Sequence, residues 1–235
     1  MHKIVSIVLP TYNEKDTIAL LVEEILRRIS SDSEIIVVDD DSPDGTGDIV
    51  EKVGEKDLRV RLLRRKERGL TSALRAGIDS ARHDTVIWLD ADFAHPPEVI
   101  PDLINAPADL DIVVASRYIT GGHDGRDSKI RRLASVALNR VGQWWVRSSV
   151  RDLSSGFVRA RKEVLKDLDF QGTYGDYCID FLVRAERKGF KIKEIPYTNS
   201  EREEGYSKTT ANPLMFFRYV LLYVKTIIKL RNHAK

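Results

Sequence analysis

The 235-residue chain predicts an α/β fold with a mostly parallel sheet flanked by helices, and three observations predict it. Short β-branched runs alternate with amphipathic segments from the first residues onward, as strand–helix–strand units do. Several runs, among them Ile35-Ile-Val-Val38 and Val86-Ile-Trp-Leu89, are apolar along their whole length, which suits strands covered on both faces. Each early run also ends in polar, turn-forming residues, at the sheet edge where ligands of parallel sheets bind.

The elements follow in order. Ile4 to Leu9 is a β-branched run ended by Pro10, hence a strand. Residues 14–29 carry Ile18, Leu21, Val22, Ile25, Leu26 and Ile29 at the spacings of an amphipathic helix. Glu34 to Asp39 is a second strand, followed by a polar turn and a helix through about Val53. Val60 to Leu63 is a short strand, Gly69 to Gly77 opens another helix, and the central strand runs to Asp90. Asp111 to Ala115 is a further strand, and Gly121-Gly-His-Asp-Gly125 reads as a mobile loop.

Residues 129–147 are helical, with Leu133, Val136, Ala137, Val141 and Trp144 expected inward. Arg131, Ser135 and Asn139 recur at i, i+4 and i+8 on another face, either a solvated face or an anion contact. Leu153 to Arg159 holds another strand or strand entry. A helix over 176–188 has Ile179, Leu182, Val183 and Ala185 as core positions and Asp176 as a capping residue. Lys191 to Ile195 alternates like an edge strand, and Glu201 to Lys208 reads as a flexible flap.

The tail from Pro213 to Lys229 is strongly apolar but interrupted by Arg218, Lys225 and Lys229. Three charges in so short a stretch argue against a membrane span. They suit a helix lying in a membrane interface, or one packed on the domain or on a second subunit. The expected division is a catalytic domain over 1–210 and an amphipathic helix over 211–235.

Composition bounds the partners. The net charge of +2 conceals segregation: Arg117 to Lys162 carries eleven Lys/Arg against three Asp, and Lys208 to Lys235 carries six and no acid. The rest of the chain holds a net −12. Such asymmetry points to an anionic partner, whether nucleic acid, a phosphorylated lipid or a membrane surface. No zinc-ligand spacing or stacking-aromatic motif supports nucleic acid. No Gly-x-Gly-x-x-Gly follows the first strand, which disfavours a nicotinamide enzyme. A lone cysteine, Cys178, rules out an internal disulfide, and the N-terminus is too short before Pro10 for a signal peptide. A cytoplasmic, peripherally membrane-associated protein is expected.

Three strand ends carry candidate chemistry: Pro10-Thr-Tyr-Asn-Glu14, Asp39-Asp-Asp41 and Asp90-Ala-Asp92. On extended backbone Asp90 and Asp92 point to the same side. Two carboxylates at the C-terminal edge of a parallel sheet suit Mg²⁺, which fills its remaining positions with water and phosphate oxygens. The plain alternative is that they are turn residues closing a strand.

Taken together, Leu9-Pro-Thr-Tyr-Asn-Glu14, Asp39-Asp-x-Ser-Pro-Asp-Gly-Thr46, Leu89-Asp-Ala-Asp-x-x-His-Pro-Pro-Glu98, Ser116-Arg-Tyr118, Asp152-x-x-Ser-Gly-Phe157 and Ser207-Lys208 resemble glycosyltransferase family 2. The Pro-Asp-Gly-Thr and His-Pro-Pro-Glu stretches resemble its dolichyl-phosphate (polyprenyl-phosphate) mannosyltransferase branch more closely. The resemblance implies a GT-A (Rossmann-like) fold, a GDP-mannose donor, a polyprenyl phosphate acceptor and Mg²⁺ or Mn²⁺. It implies a donor site of Pro10, Tyr12, Glu14, Asp40, Asp90, Ala91, Asp92, Arg202 and Lys208, with Asp90 and Asp92 holding the metal. It further implies that Arg117, Arg131, Ser135, Arg202 and Lys208 hold the phosphates. Another nucleotide-sugar donor, carrying glucose or an N-acetylhexosamine, is the alternative. Two positions depart from the branch: Ala94 stands where a Gln is usual, and Gly69-Leu-Thr71 replaces a Gly-Leu-Gly-like turn.

Overall fold

A computed structural model describes residues 3–126, 128–199 and 213–232, the last without the side chains of 213–217 and 219. The expected flap, with Arg202 and Lys208, lies outside the described residues.

Seven strands form one sheet in the order β3-β2-β1-β4-β7-β5-β8. Their ranges are β1 Ser6–Thr11, β2 Glu34–Asp39, β3 Val60–Arg64, β4 Thr85–Trp88, β5 Ile112–Ser116, β7 Val158–Arg161 and β8 Ile192–Pro196. Only β7 runs antiparallel to its neighbours. A two-stranded parallel ribbon joins β6, His123–Asp124, to β9, Thr198–Asn199.

Alternate residues of the buried strands feed two cores, as a period of two dictates. Val8, Ile36, Val38, Val86, Trp88 and Val114 face one layer, whereas Ile7, Leu9, Ile35, Val37, Ile87 and Val113 face the other. The second layer is covered by α1 (Ile18–Leu26), α2 (Thr46–Lys56) and α4 (Ile100–Asn105). The first is covered by α3 (Leu70–Ser80), α6 (Lys162–Asp167) and α7 (Asp176–Arg187), with parts of α5 (Lys129–Val146) and α8 (Pro213–Asn232). In α7, Ile179, Leu182, Val183 and Ala185 are buried as their spacing predicts.

Four expectations need correction. Pro10 does not end β1 but lies within it, opposite Val38. Pairing with β4 has stopped at Val8 by then, so a proline at that point removes no ladder bond on that side. The first helix is shorter than 14–29, because residues 14–17 form a turn closed by Ile18 N–H donating to Glu14 O at 2.9 Å. The stretch 121–125 is not a loose loop: β6 pairs with β9, and Gly125 N–H donates to Asn199 O and Oδ1 at 3.2 and 3.0 Å.

The fourth correction concerns α5, which sits the other way round. Leu133, Val141 and Trp144 are 70%, 58% and 74% exposed and Ala137 is also exposed, while Asn139 is buried. Apolar spacing identifies a stripe but not which neighbour it faces, and here hydrogen bonding to the domain claimed the polar row.

The terminal helix α8 docks by one side. Ile227 and Leu230 are buried, and Thr226 Oγ1 donates to Asp176 Oδ2 at 3.3 Å. An added Cβ on Gly142 of α5 would lie 3.0 Å from Ile227 Cδ1, so glycine sets how closely the two helices approach. Asp176 braces the loop before α7, accepting from Thr173 and Tyr174 N–H, rather than capping the helix from outside. Among the described residues, no helix is long and apolar enough to cross a membrane.

Candidate active site

The C-terminal ends of β2, β1 and β4 are adjacent, and hydrogen bonds tie the segments after them together. Asp40 N–H donates to Thr11 O at 3.1 Å, and Asn13 N–H donates to Ser42 Oγ at 2.9 Å. Glu14 N–H donates to Thr46 Oγ1 at 2.9 Å, and Thr17 Oγ1 donates to Ala91 O at 3.2 Å. Among the described residues, three of the four non-glycine residues with positive φ, Asn13, Asp41 and Phe93, sit in these three segments. Backbone in that region is unfavourable for L-residues and persists only where the surroundings fix it, as at binding sites.

The acidic pair follows β4. Asp92 is 3% exposed and its Oδ1 accepts from Ala94 N–H at 3.0 Å; the Asp90 side chain is 47% exposed. Ala94 thus contributes backbone to the turn, with no side-chain ligand. Among the described residues no cluster of three metal-ligating acids, histidines or cysteines forms. The candidate donors at this strand end are thus the carboxylates of Asp90 and Asp92, and a hard cation commonly takes two protein carboxylates and completes its shell with water and phosphate.

His95 makes a contact at this strand end that the sequence did not predict. Its Nδ1 accepts from Asp90 N–H at 3.0 Å, and the ring stacks on Phe157 at 5.2 Å with Tyr197 edge-on at 5.9 Å. A histidine five residues after Asp90 carries no sequence signal of this bond beyond its place in the motif.

Tyr12 and Asp40 lie together at the β1–β2 end. Arg68 stacks over the Tyr12 ring at 4.4 Å. Asp40 Oδ2 accepts from Gly69 N–H at 2.8 Å, and Arg65 Nε lies 3.4 Å from Asp40 Oδ1. Burial pushes the Asp40 carboxyl above its ordinary value, outweighing the Gly69 N–H and Arg65. Glu14 is held at the same rim through its backbone, and Pro10 is half-buried between buried Leu9 and Thr11 near the end of β1.

A second group gathers between the end of β5 and α5. Arg117 is bidentate to buried Asp152, through Nε at 2.8 Å and Nη2 at 2.7 Å, and Nη2 also donates to Ser154 Oγ at 2.9 Å. Burial alone lowers the Arg117 pKa; Asp152 reverses this and holds it well above the ordinary value. Asn139 Nδ2 donates to Ser154 Oγ at 2.9 Å, and the Tyr118 hydroxyl lies 2.7 Å from Ser135 Oγ. Ser135 and Asn139 of the Arg131–Ser135–Asn139 row thus face the Arg117 group rather than solvent. Arg131 itself is half-buried, and its N–H is capped by Ser128 Oγ.

The segment 152–156 links the two groups. Asp152 and Ser154 hold Arg117, while an added Cβ on Gly156 would lie 3.6 Å from His95 Cε1 and 3.9 Å from Asp90 Oδ1. The structure therefore brings together Pro10, Tyr12, Glu14, Asp40, Asp90, Ala91 and Asp92 on one rim, with Arg117 and Ser135 in the adjoining wall. Asp180, 2% exposed, is paired with Arg184 and presents no base to solvent.

A cavity of about 760 Å³ lies elsewhere, between the ends of α5, α7 and α8. Two of its three arginines hold helix-end carbonyls: Arg187 donates to Leu230 O at 2.8 Å and Arg231 to Trp145 O at 3.0 Å. Cations at converging helix C-termini need no ligand to explain them.

Comparison with known proteins accords with this geometry. The sequence profile described as glycosyl transferase family 2 matches residues 6–169. A dolichol-phosphate mannosyltransferase of Pyrococcus furiosus is 34% identical over 94% of this chain, which spans 64% of that protein's length. A polyprenol monophosphomannose synthase of Mycolicibacterium smegmatis is 34% identical over 88% of this chain and 81% of its own. Among solved structures, glucosyl-3-phosphoglycerate synthase of Mycobacterium tuberculosis, crystallised with Mn²⁺ and UDP, superposes with a TM-score of 0.74 at 20% identity. That match covers 98% of this chain and 80% of the synthase, and it shows a shared GT-A-type fold. The sheet order, the strand-end acids and the profile match converge: this chain belongs to glycosyl transferase family 2.

Proposed function

We propose that the protein transfers mannose from GDP-mannose to a polyprenyl monophosphate with inversion, using Mg²⁺ or Mn²⁺ held by Asp90 and Asp92. The observation that carries the acceptor half is the two-sidedness of α5. Its polar row adjoins Arg117, whereas its outer face is apolar and exposed. An amphiphile with a phosphate head and an apolar chain needs both surfaces side by side. The names of the two 34%-identical relatives support the same substrate class.

Each residue then has a task. Tyr12 and Asp40 hold the nucleoside, with Pro10, Glu14 and Ala91 shaping the rim. Asp90 and Asp92 would hold the cation beside the donor diphosphate. When bound, that ion neutralises charge developing on the leaving nucleotide. The acceptor is a phosphate monoester with a second pKa near 6, so it is anionic at pH 7. It needs cations to bring it up to another anion, not a base to deprotonate it. Arg131, Ser135, Arg202 and Lys208 are assigned to its phosphate. Arg117, with Asp152 and Ser154 on two of its nitrogens, sets the wall against which that phosphate rests. Attack opposite the leaving group converts an α-linked donor to a β-linked product.

The membrane partner proposed is an anionic bilayer surface. Ile130, Leu133, Val141 and Trp144 on α5, and Leu221, Val224 and Ile228 on α8, are exposed apolar residues on two helices that touch. Neither helix contains an Asp or Glu, and both carry Lys and Arg. An apolar face rimmed by cations is the composition that anionic lipid surfaces bind.

The test is incubation with GDP-mannose, Mn²⁺ and a short polyprenyl phosphate, with UDP-glucose and UDP-N-acetylglucosamine as competing donors. A β-linked lipid phosphomannose is expected. Asp92→Ala should abolish transfer while thermal unfolding changes little. Near-normal activity of that variant across a metal titration would remove the metal from the scheme, and product only with a UDP-sugar would replace the donor.

A further inference from the structure

The cavity where α5, α7 and α8 end holds more positive charge than its helix-end carbonyls use. Arg147, Arg187 and Arg231 line it, with Glu186 as its one carboxylate and apolar Val146 and Val183 beside them. Glu186 is already taken, accepting from Ser149 N–H at 2.7 Å and from the Ser149 hydroxyl. None of the three arginines pairs with a carboxylate among the described residues. Arg187 and Arg231 each give one nitrogen to a carbonyl, whereas a guanidinium has five N–H groups. Arg147 lacks even that use. It closes α5 at a φ of 57°, a left-handed position where glycine is the usual residue. Its side chain therefore stands there at a conformational cost. The carbonyls explain where two of the arginines sit and leave the third without a reason. Arg231 also lies 6.0 Å from the Trp145 ring, which meets the largely exposed Trp144 edge-on at 5.8 Å.

We infer that this cavity seats the headgroup phosphate of an anionic phospholipid, distinct from the acceptor lipid. This rests on the membrane reading given above and makes part of that contact a discrete site instead of a diffuse attraction. Arg147 lies about three turns along α5 from Ser135, roughly 18 Å at the helical rise, so the acceptor wall is elsewhere. The planar fork of arginine matches phosphate oxygens two at a time. A volume of about 760 Å³ accommodates a headgroup. Asn232, which also lines the cavity, offers an amide to ester or glycerol oxygens. Charge alone would equally admit a free phosphate. The tryptophan pair decides for the lipid, because tryptophan settles at headgroup depth in a bilayer. Exposed Ile228 lies one turn before Arg231 on α8, so both apolar helix faces reach the cavity's edge.

Sedimentation of the full chain with vesicles of phosphatidylcholine mixed with phosphatidylglycerol tests this. Arg147→Gly removes the charge and suits the left-handed backbone, so the unfolding temperature should hold or rise. Arg147→Asn also tolerates that backbone and gives a second neutral variant. Arg140→Gln removes an equal charge from the exposed surface of the same helix, outside the cavity. A diffuse surface cation is worth about fivefold at an anionic bilayer, so Arg140→Gln should weaken sedimentation about fivefold at most. Both Arg147 variants should weaken it at least ~20-fold, because a phosphate held by a fork loses more than screened attraction. Calorimetric titration of the parent with soluble dihexanoyl phosphatidylglycerol should show one saturable site, lost in both Arg147 variants. Inorganic phosphate should bind at least ~10-fold more weakly, since it lacks chains to bury against the tryptophans. Equal losses in the Arg147 and Arg140 variants, or phosphate binding as tightly as the lipid, overturn the inference and leave the membrane reading intact. Failure of the folded parent to sediment with these vesicles would instead overturn that reading, and this inference with it.

Discussion

Asp90 is placed by a bond that its own side chain does not make. Its backbone N–H is held by His95 Nδ1, and the imidazole is held in turn by Phe157 and Tyr197. Because Nδ1 accepts, the neutral ring carries its proton on Nε2. In the proposed metal site such support positions the carboxylate, and loss of comparable outer groups weakens metal sites roughly 10- to 100-fold. His95→Leu keeps much of the ring's bulk but removes the acceptor. It should weaken Mn²⁺ binding, read by electron paramagnetic resonance, about tenfold or more. His95→Asn offers an oxygen near the Nδ1 position and should recover most of that affinity. If both variants bind Mn²⁺ like the parent, His95 serves packing alone.

At the level of elements, the exposed apolar face of α5 carries the membrane contact proposed above. Leu133 and Trp144 are largely exposed, so replacing both with Ser removes little packing from the fold. The double variant should melt at or near the parent temperature yet sediment at least ~10-fold less with vesicles of mixed neutral and anionic lipid, given the ~1.5–3 kcal/mol that burying a large apolar side chain contributes. Unchanged sedimentation would assign membrane contact to α8 alone.

The same helix marks the limit of what the sequence can tell. Strand–helix alternation is a local pattern, and it located every strand of the large sheet to within a few residues. The acids at the ends of β1, β2 and β4 were legible because topology alone brings adjacent parallel strand ends together. Burial direction was not legible in α5, since a helix with one apolar and one polar stripe offers either to its neighbour. The polar stripe went inward because Ser154 and Tyr118, both outside the helix, supply partners to Asn139 and Ser135. The β6–β9 pairing joins residues 123 and 198 across 75 positions and left no local signature. The bond from Asp90 N–H to His95 depends on a turn at Phe93 with φ of 60°, which residue identities did not announce.

Across the whole molecule, charge is divided between segments of the chain. The acidic remainder supplies the strand-end rim, while the segments 117–162 and 208–235 supply the cations. Their charges act differently with salt. Lys and Arg on the outer faces of α5 and α8 are exposed, so their attraction to an anionic bilayer is screened over a Debye length of about 8 Å at physiological ionic strength. Asp40 and Arg65 are buried and largely shielded from bulk ions. Raising salt from about 50 to 500 mM should therefore release the protein from anionic vesicles by an order of magnitude or more, at roughly 1 kcal/mol per engaged cation. Over the same range the preference among nucleotides should change severalfold at most. Transfer to a long polyprenyl phosphate embedded in vesicles should fall with vesicle binding, whereas transfer to a short, water-soluble polyprenyl phosphate should hold better. If salt depressed both acceptors equally, the cations would be acting at the acceptor phosphate itself and not by bringing the enzyme to the bilayer.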